Sequence, residues 1–365
     1  MKGVYNIYKK SVPAFIVPLL LSGLLSSCKT DRSSQEQVKD TAKPSKHKNE
    51  QKGGGEKLDY GSYNGENTFE RINIAKLFKK GLTGKNVNVA LLDDGFNFDC
   101  EELLGKNTSI SKGGVPYFDH IENYPAPGNY GYNYDKPKMI GGLDLKTEGH
   151  GAHMSRILAG EMKNNSRGVS PGVEIFPLSA GDTGIPLVKW FNQVNAIKNY
   201  NLRIASISNH VSGFKYLLGE KTNLFYPYYN EGFSDTLFVS IAGNDNSYSN
   251  LFSSNHPAPD HPIWKQIIIT VAVGTDNKLT HDSRRCGSES DICIAVPSPG
   301  PTSPTAPVVA GAVAILMEAF PGLKIEQYQK AILDSATALG DPQETGRGML
   351  NVYGAYQLLE TESNK

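Results

Sequence analysis

After residue 86 most apolar segments are short continuous runs rather than alternating ones. The runs span 87–92, 173–178, 203–208, 237–242, 267–273 and 292–296. A strand covered on one face alternates apolar and polar positions, whereas a strand covered on both faces is apolar throughout, so these runs predict buried parallel strands. Helix-like stretches separate them at about 151–160, 186–200, 305–320, 324–335 and 352–359. Alternation of this kind predicts an α/β fold, a three-layer doubly wound and mostly parallel sheet with helices on both faces. In such folds sites form at the carboxyl ends of strands.

The first 66 residues follow a different pattern. Lys2, Lys9 and Lys10 precede an apolar run over 12–25 that closes on Leu25-Ser26-Ser27-Cys28. The run is shorter than the roughly 20 residues a bilayer span needs, and Pro13 and Pro18 interrupt it, so it reads as an export signal. Its ending resembles the bacterial lipobox, which implies cleavage before Cys28 and lipid attachment to that residue. Residues 29 to about 62 mix Lys, Glu, Asp, Ser and Gln around Gly53-Gly54-Gly55. They hold too few apolar residues to bury a core and predict a flexible tether, with a typical reach of about 30 Å. The expected organisation is a signal peptide over 1–27, a lipid-anchored tether over 28–66 and a folded domain over 67–362. Export would place that domain at a bacterial membrane, facing the periplasm or the cell surface.

Charge narrows the partners. Lys plus Arg and Asp plus Glu both number 37 in 365 residues, so no net field steers the chain to nucleic acid. Of the four cysteines, Cys28 is assigned to lipid and Cys100 is left unpaired. Cys286 and Cys293 flank a short loop that an oxidising compartment could close, with the reduced pair equally open.

Four polar residues stand where chemistry would want them. Asp93 ends the first strand and precedes Asp94-Gly95, a pattern that also suits a simple turn. His150 opens Gly149-His150-Gly151-Ala152-His153 at a helix start. His153 one turn later is its rival, and the pair lacks the spacing and the intervening Glu of the zinc-protease helix motif. Asn244 ends a strand in Ile241-Ala242-Gly243-Asn244, where it can also be a turn amide. Ser303 heads an apolar helix in Pro301-Thr302-Ser303-Pro304-Thr305-Ala306-Pro307, a place that also suits a helix cap.

Taken in order, Asp93, His150-Gly151 with His153, Ala242-Gly243-Asn244, Thr302-Ser303 with Pro307, and Gly346-Arg347-Gly348 resemble the subtilisin-like serine proteases over roughly residues 68–360. The resemblance implies a serine endopeptidase. Ser303 would be its nucleophile, His150 its general base and acid, Asp93 the residue orienting His150, and Asn244 an oxyanion donor. It further implies that the strand holding Ser208 pairs with substrate backbone and that Gly243 lines the first specificity pocket. The implied partner is a peptide or protein substrate. Catalysis of this kind requires no cofactor or metal, and structural calcium sites and the oligomeric state are left open.

Some positions depart from the family pattern. Asp94 replaces a hydroxyl residue, Ala152 a Thr, His210 a Gly, and Pro301 the Gly before Thr-Ser, so that Gly300 is expected to absorb the turn. Arg156 takes the place of a small residue. Residues 94–149 form a long insert with Tyr117, Tyr124, Tyr130, Tyr132 and Tyr134, read as a surface elaboration or as a substrate or partner loop. The departures keep a second class open, an inactive protease-fold lipoprotein that binds peptides or a partner.

Overall fold

The computed structural model describes residues 68–93, 139–140, 143–144, 150–160, 167–179, 197–198, 200–208, 235–248 and 262–364. The expected signal peptide, tether, Cys28, Cys100, Asp94, His210 and nearly all of the Tyr-rich insert lie outside them. The chain divides into two units, Met1–Glu56 and Lys57–Lys365, and every described residue belongs to the second.

Each apolar run forms a strand within one or two residues of the expected place. These are β1 (Asn88–Asp93), β4 (Glu174–Ser179), β5 (Ile204–Ile207), β6 (Leu237–Ile241), β7 (Ile267–Val273) and β8 (Cys293–Pro297). A two-residue antiparallel pair, β2 (Met139–Ile140) with β3 (Leu143–Asp144), stands apart. The six-stranded sheet runs β4-β1-β5-β6-β7-β8, with every pairing parallel.

Both faces of the sheet are buried, which is why the runs are continuous. On β7, Ile268 belongs to one core while Ile267, Ile269, Val271 and Val273 belong to the other. The first core takes in α3 (His150–Ala159), α4 (Thr305–Ala319), α5 (Ile325–Asp334) and α7 (Val352–Ser363). It also holds apolar residues of the short N-terminal helices α1 (Thr68–Arg71) and α2 (Ala75–Lys79). Of the helix expected at 186–200, only residues 197–198 are described and helical, and Ile197 lies in the second core. The four- and five-residue helices α1, α2 and α6 (Pro342–Thr345) escape sequence reading because none spans the two turns over which helical periodicity shows.

Strand order locates a crevice. The chain leaves β1 toward β4 on one side, then crosses back to place β5 on the other side of β1. Connections that depart in opposite directions leave an opening beyond the carboxyl ends of β1 and β5. Asp93 is the last residue of β1, and Ser208 follows β5 directly.

Helix α4 fills the space beneath that edge. Every residue from Thr305 to Met317 is buried, so the helix has no solvent face. Gly311 makes the seating possible: a Cβ there would lie 2.8 Å from Val169 Cβ and 2.9 Å from its Cγ1. Its carbonyl accepts the Ser170 hydroxyl at 2.5 Å. At the far end, the Glu318 carboxylate accepts the Thr83 and Gly84 amides at 2.7 and 2.6 Å, tying α4 to the approach to β1. A disulfide joins Cys286 to Cys293, closing a 3₁₀ turn onto the start of β8.

Two outcomes follow from this packing. Gly311→Val should lower unfolding free energy in urea by about 1–3 kcal/mol through overpacking against Val169; an unchanged midpoint would mean the helix is not seated so closely. Reducing the Cys286–Cys293 bridge should cost about 2–3 kcal/mol, the loop-closure entropy of so short a ring. Identical melts with and without reductant would argue against the bridge.

Candidate active site

At the edge of the crevice a buried carboxylate meets a half-exposed imidazole. Asp93 is fully buried, and its Oδ1 lies 2.7 Å from His150 Nδ1. The strand delivers the carboxylate and the first residue of α3 delivers the ring, which retains 27% exposure. A carboxylate accepts, so Nδ1 donates in this contact, and in the neutral ring of that tautomer Nε2 keeps its lone pair. Asp93 is therefore a strand residue with a long-range partner, not a free turn carboxylate.

A second cluster forms where the loop after β6 meets the segment before α4. Asn244 Oδ1 accepts the Thr302 backbone N–H and the Thr302 hydroxyl, each at 2.7 Å. A backbone amide can only donate, so the atom facing it must be the side-chain oxygen, and Nδ2 is turned the other way with its two donors. Gly243, at φ 120°, makes the tight turn into Asn244 that a side chain would strain. Its carbonyl accepts the Arg284 amide at 3.0 Å and faces the Thr302 hydroxyl at 3.4 Å.

Ser303 sits between the two loops. Its hydroxyl is 3.5 Å from the Ser208 carbonyl, a contact too long to hold it firmly. The Ser208 hydroxyl donates to the Ser303 carbonyl at 3.0 Å, so that side chain supports the turn at Ser303. The expected cap at Ser303 is not made: Pro304 occupies the cap position at φ −65° and ψ −20°, already helical, and no side chain caps the helix. The Ser303 amide finds no acceptor among the described residues, as befits an orphan donor at a helix start.

Pro301 causes no distortion. No residue from 298 to 304 takes a positive φ, so Gly300 does not absorb the turn as expected; the loop needs no left-handed residue. Hydroxyls hold it instead, Thr280 to the Gly300 carbonyl at 2.8 Å and Ser298 to the Pro301 carbonyl at 3.1 Å.

The structure thus joins Asp93 to His150, and Asn244 and Ser208 to the Thr302-Ser303 turn. In the sequence Thr302 stands out only as part of a motif and Asp245 only as part of a turn, while nothing local marks Thr280 or Arg284. A hydroxyl beside Ser303 was the one available hint. His153, the rival histidine, is buried, and neither ring nitrogen has a hydrogen-bond partner. Burial, then the His150 ring, then Arg156 push its pKa from the ordinary 6.5 down to about 3. Among the described residues no three His, Cys, Asp or Glu side chains gather to hold a metal.

The model of the subtilase family matches residues 84–355. In sequence the chain is similar to Subtilisin DY of Bacillus licheniformis, 24% identical over 307 residues that cover 78% of this chain and 96% of that protein. It is also similar to Subtilisin E of Bacillus subtilis, 26% identical over 308 residues that cover 79% of this chain and 70% of that protein. Among solved structures it is similar to the prenylagaramide maturation protease PagA, with TM-score 0.55 and 15% identity over 78% of this chain and 98% of the other. The PatG macrocyclase in complex with peptide gives TM-score 0.54 and 16% identity over 82% of this chain and 99% of the other. At such identities the structural likeness shows the fold alone.

His153 gives the domain a dependence on acid. Its folded pKa lies below its unfolded one, so between about pH 6.5 and 3 the unfolded chain binds the extra proton and stability falls as pH falls. Unfolding free energy should drop by about 2 kcal/mol between pH 7.5 and pH 5 on this account. His153→Leu should remove that component; equal pH slopes for both proteins would show that His153 is not the cause.

Proposed function

The chain belongs to the subtilase family, and from that premise we propose that it is a serine endopeptidase that cleaves peptide bonds through an acyl-enzyme on Ser303. The observation that carries the reading is the 2.7 Å contact between buried Asp93 and His150 Nδ1, which leaves Nε2 as a base at the crevice. In this reading Ser303 Oγ attacks the peptide carbonyl carbon while its proton passes to His150 Nε2. The Asn244 Nδ2 donors and the Ser303 amide receive the oxyanion, and Asp93 stabilises the imidazolium. The tetrahedral adduct collapses, the leaving amine takes the proton from His150, and the acyl group stays on Ser303. Water then attacks the ester with His150 again as base, releasing the acid and restoring the hydroxyl.

The orientation of Asn244 supports the reading. Thr302 occupies its carbonyl oxygen from two sides, so the amide donors stand ready without rearrangement. The departure that most favoured a non-catalytic binding role, Pro301, fits a loop without left-handed residues. The backbone at Ser208, at the carboxyl end of β5, pairs with the peptide and Gly243 borders the first side-chain pocket.

The same proposal extends to location and organisation. Residues 1–27 direct export, Cys28 carries lipid, and 28–66 tether the peptidase domain at 67–362 to the membrane, facing the periplasm or the cell surface. The Cys286–Cys293 bridge supports an oxidising compartment.

A fluorophosphonate probe applied to the soluble domain tests the chemistry. Wild type should label and hydrolyse peptides, and Ser303→Ala should lose both while melting at an unchanged temperature. Labelling that persists in the variant would overturn the assignment of Ser303.

A further inference from the structure

Behind the Asn244 loop lies a guanidinium that the proposed chemistry does not use. The Arg284 side chain is 8% exposed and forms a two-pronged pair with Asp245, Nε to Oδ1 at 2.6 Å and Nη2 to Oδ2 at 2.5 Å. Asp245 is itself 52% exposed, so the arginine is the member drawn into the protein. The arginine amide donates to the Gly243 carbonyl at 3.0 Å. One residue therefore holds both neighbours of Asn244, residue 243 through its backbone and residue 245 through its side chain.

Flanking contacts extend the grip. The Asn246 amide donates to the Asp282 carbonyl at 3.1 Å and the Arg285 amide to the Ser247 carbonyl at 2.8 Å. The Ser283 hydroxyl accepts the Ala272 amide at 3.0 Å, which fixes this segment to β7. Thr280, earlier in the same segment, bonds the Gly300 carbonyl of the loop that leads to Ser303. Residues 280–285 thus touch both loops whose donors must converge on one oxygen.

Burying a guanidinium is costly, and a pair with one exposed member recovers little net stability. The planar fork, by contrast, fixes a carboxylate in two dimensions, which an ammonium cannot do. Arg284 also holds the Asp245 carboxyl well below the usual carboxylate range, against a smaller burial penalty and with help from Ser247, so the pair survives mild acid.

We propose that Arg284 is a positioning residue for the oxyanion-binding amide of Asn244, gripping residues 243 and 245 so that Nδ2 meets the developing charge at a fixed point. This rests on the serine-endopeptidase reading above. The side chain acts through Asp245 on Asn244; its contact with Gly243, at the pocket border, is made by the backbone amide, so side-chain variants leave ground-state substrate binding unaltered.

The test compares wild type, Arg284→Gln, Arg284→Lys and Asp245→Asn, each alone and combined with Asn244→Ala. Peptide hydrolysis, fluorophosphonate labelling rates and thermal melts are measured for every protein. Arg284→Gln should lower kcat about tenfold with KM within about twofold, a fraction of what loss of the donor itself costs. Arg284→Lys should recover part of that loss. In the Asn244→Ala background the same change should have no further effect, since the two act as one unit. Equal losses in both backgrounds, a raised KM with unchanged kcat, or no effect would each overturn the proposal. If Arg284→Gln does not fold, Asp245→Asn at the exposed end of the pair carries the same comparison. A wild type that neither labels nor cleaves would overturn the endopeptidase reading and this one with it; a competent wild type with indifferent Arg284 and Asp245 variants would overturn this one alone.

Discussion

Helix α4 is buried on every side from Thr305 to Met317, and the placement of the candidate site follows from that burial. A helix without a polar face has no stable position except between the sheet and other helices. Its depth is set by Gly311, whose missing side chain admits Val169, and its far end is held by Glu318. With both fixed, the turn before the helix is carried to the carboxyl edge of the sheet. Ser303 and the Thr302 amide arrive beside the loop after β6 without any locally strained backbone.

Around that turn, buried and half-buried hydroxyls do what a hydrophobic core cannot. Apolar packing is non-directional, so it sets distance but not the orientation of a polar atom. Thr302, Thr280, Ser298 and Ser208 each direct a hydrogen bond at a loop carbonyl or amide oxygen. Every such group must be satisfied once it leaves water, which restricts each loop to one arrangement. Thr302 thereby holds the Asn244 carbonyl oxygen, with Nδ2 turned away from it; in the proposed chemistry that amide and the Ser303 N–H are the oxyanion donors. Preorganised donors of that kind give oxyanion stabilisation its value.

The imidazole side of the site is ordered differently. Asp93 comes from a strand buried on both faces, so its carboxylate has lost water and has His150 as its hydrogen-bond partner at 2.7 Å. One turn along α3, His153 occupies a drier place and is held neutral, packed as an apolar ring. Two histidines three residues apart thus differ by environment alone, one facing a carboxylate and solvent, the other facing the core.

Local pattern was enough to read the strands, the long helices and the sheet type, because two-faced burial and helical period are written in consecutive residues; Asp93, His150, Asn244 and Ser303 stood out only through their ordered resemblance to subtilisin-like motifs. The short helices were illegible for the converse reason, having too few residues to show a period. Which way the Asn244 amide turns was beyond sequence, since its oxygen is fixed by a residue 58 positions away. The same holds for Arg284 and Asp245, 39 apart, and for Ser208 and Ser303, 95 apart. No chain-local rule brings such pairs together. The sequence by itself determined the elements and the kinds of side chain at their ends; only the tertiary structure decided which of those side chains face one another, because hydrogen-bond direction is settled after packing has brought distant loops into contact.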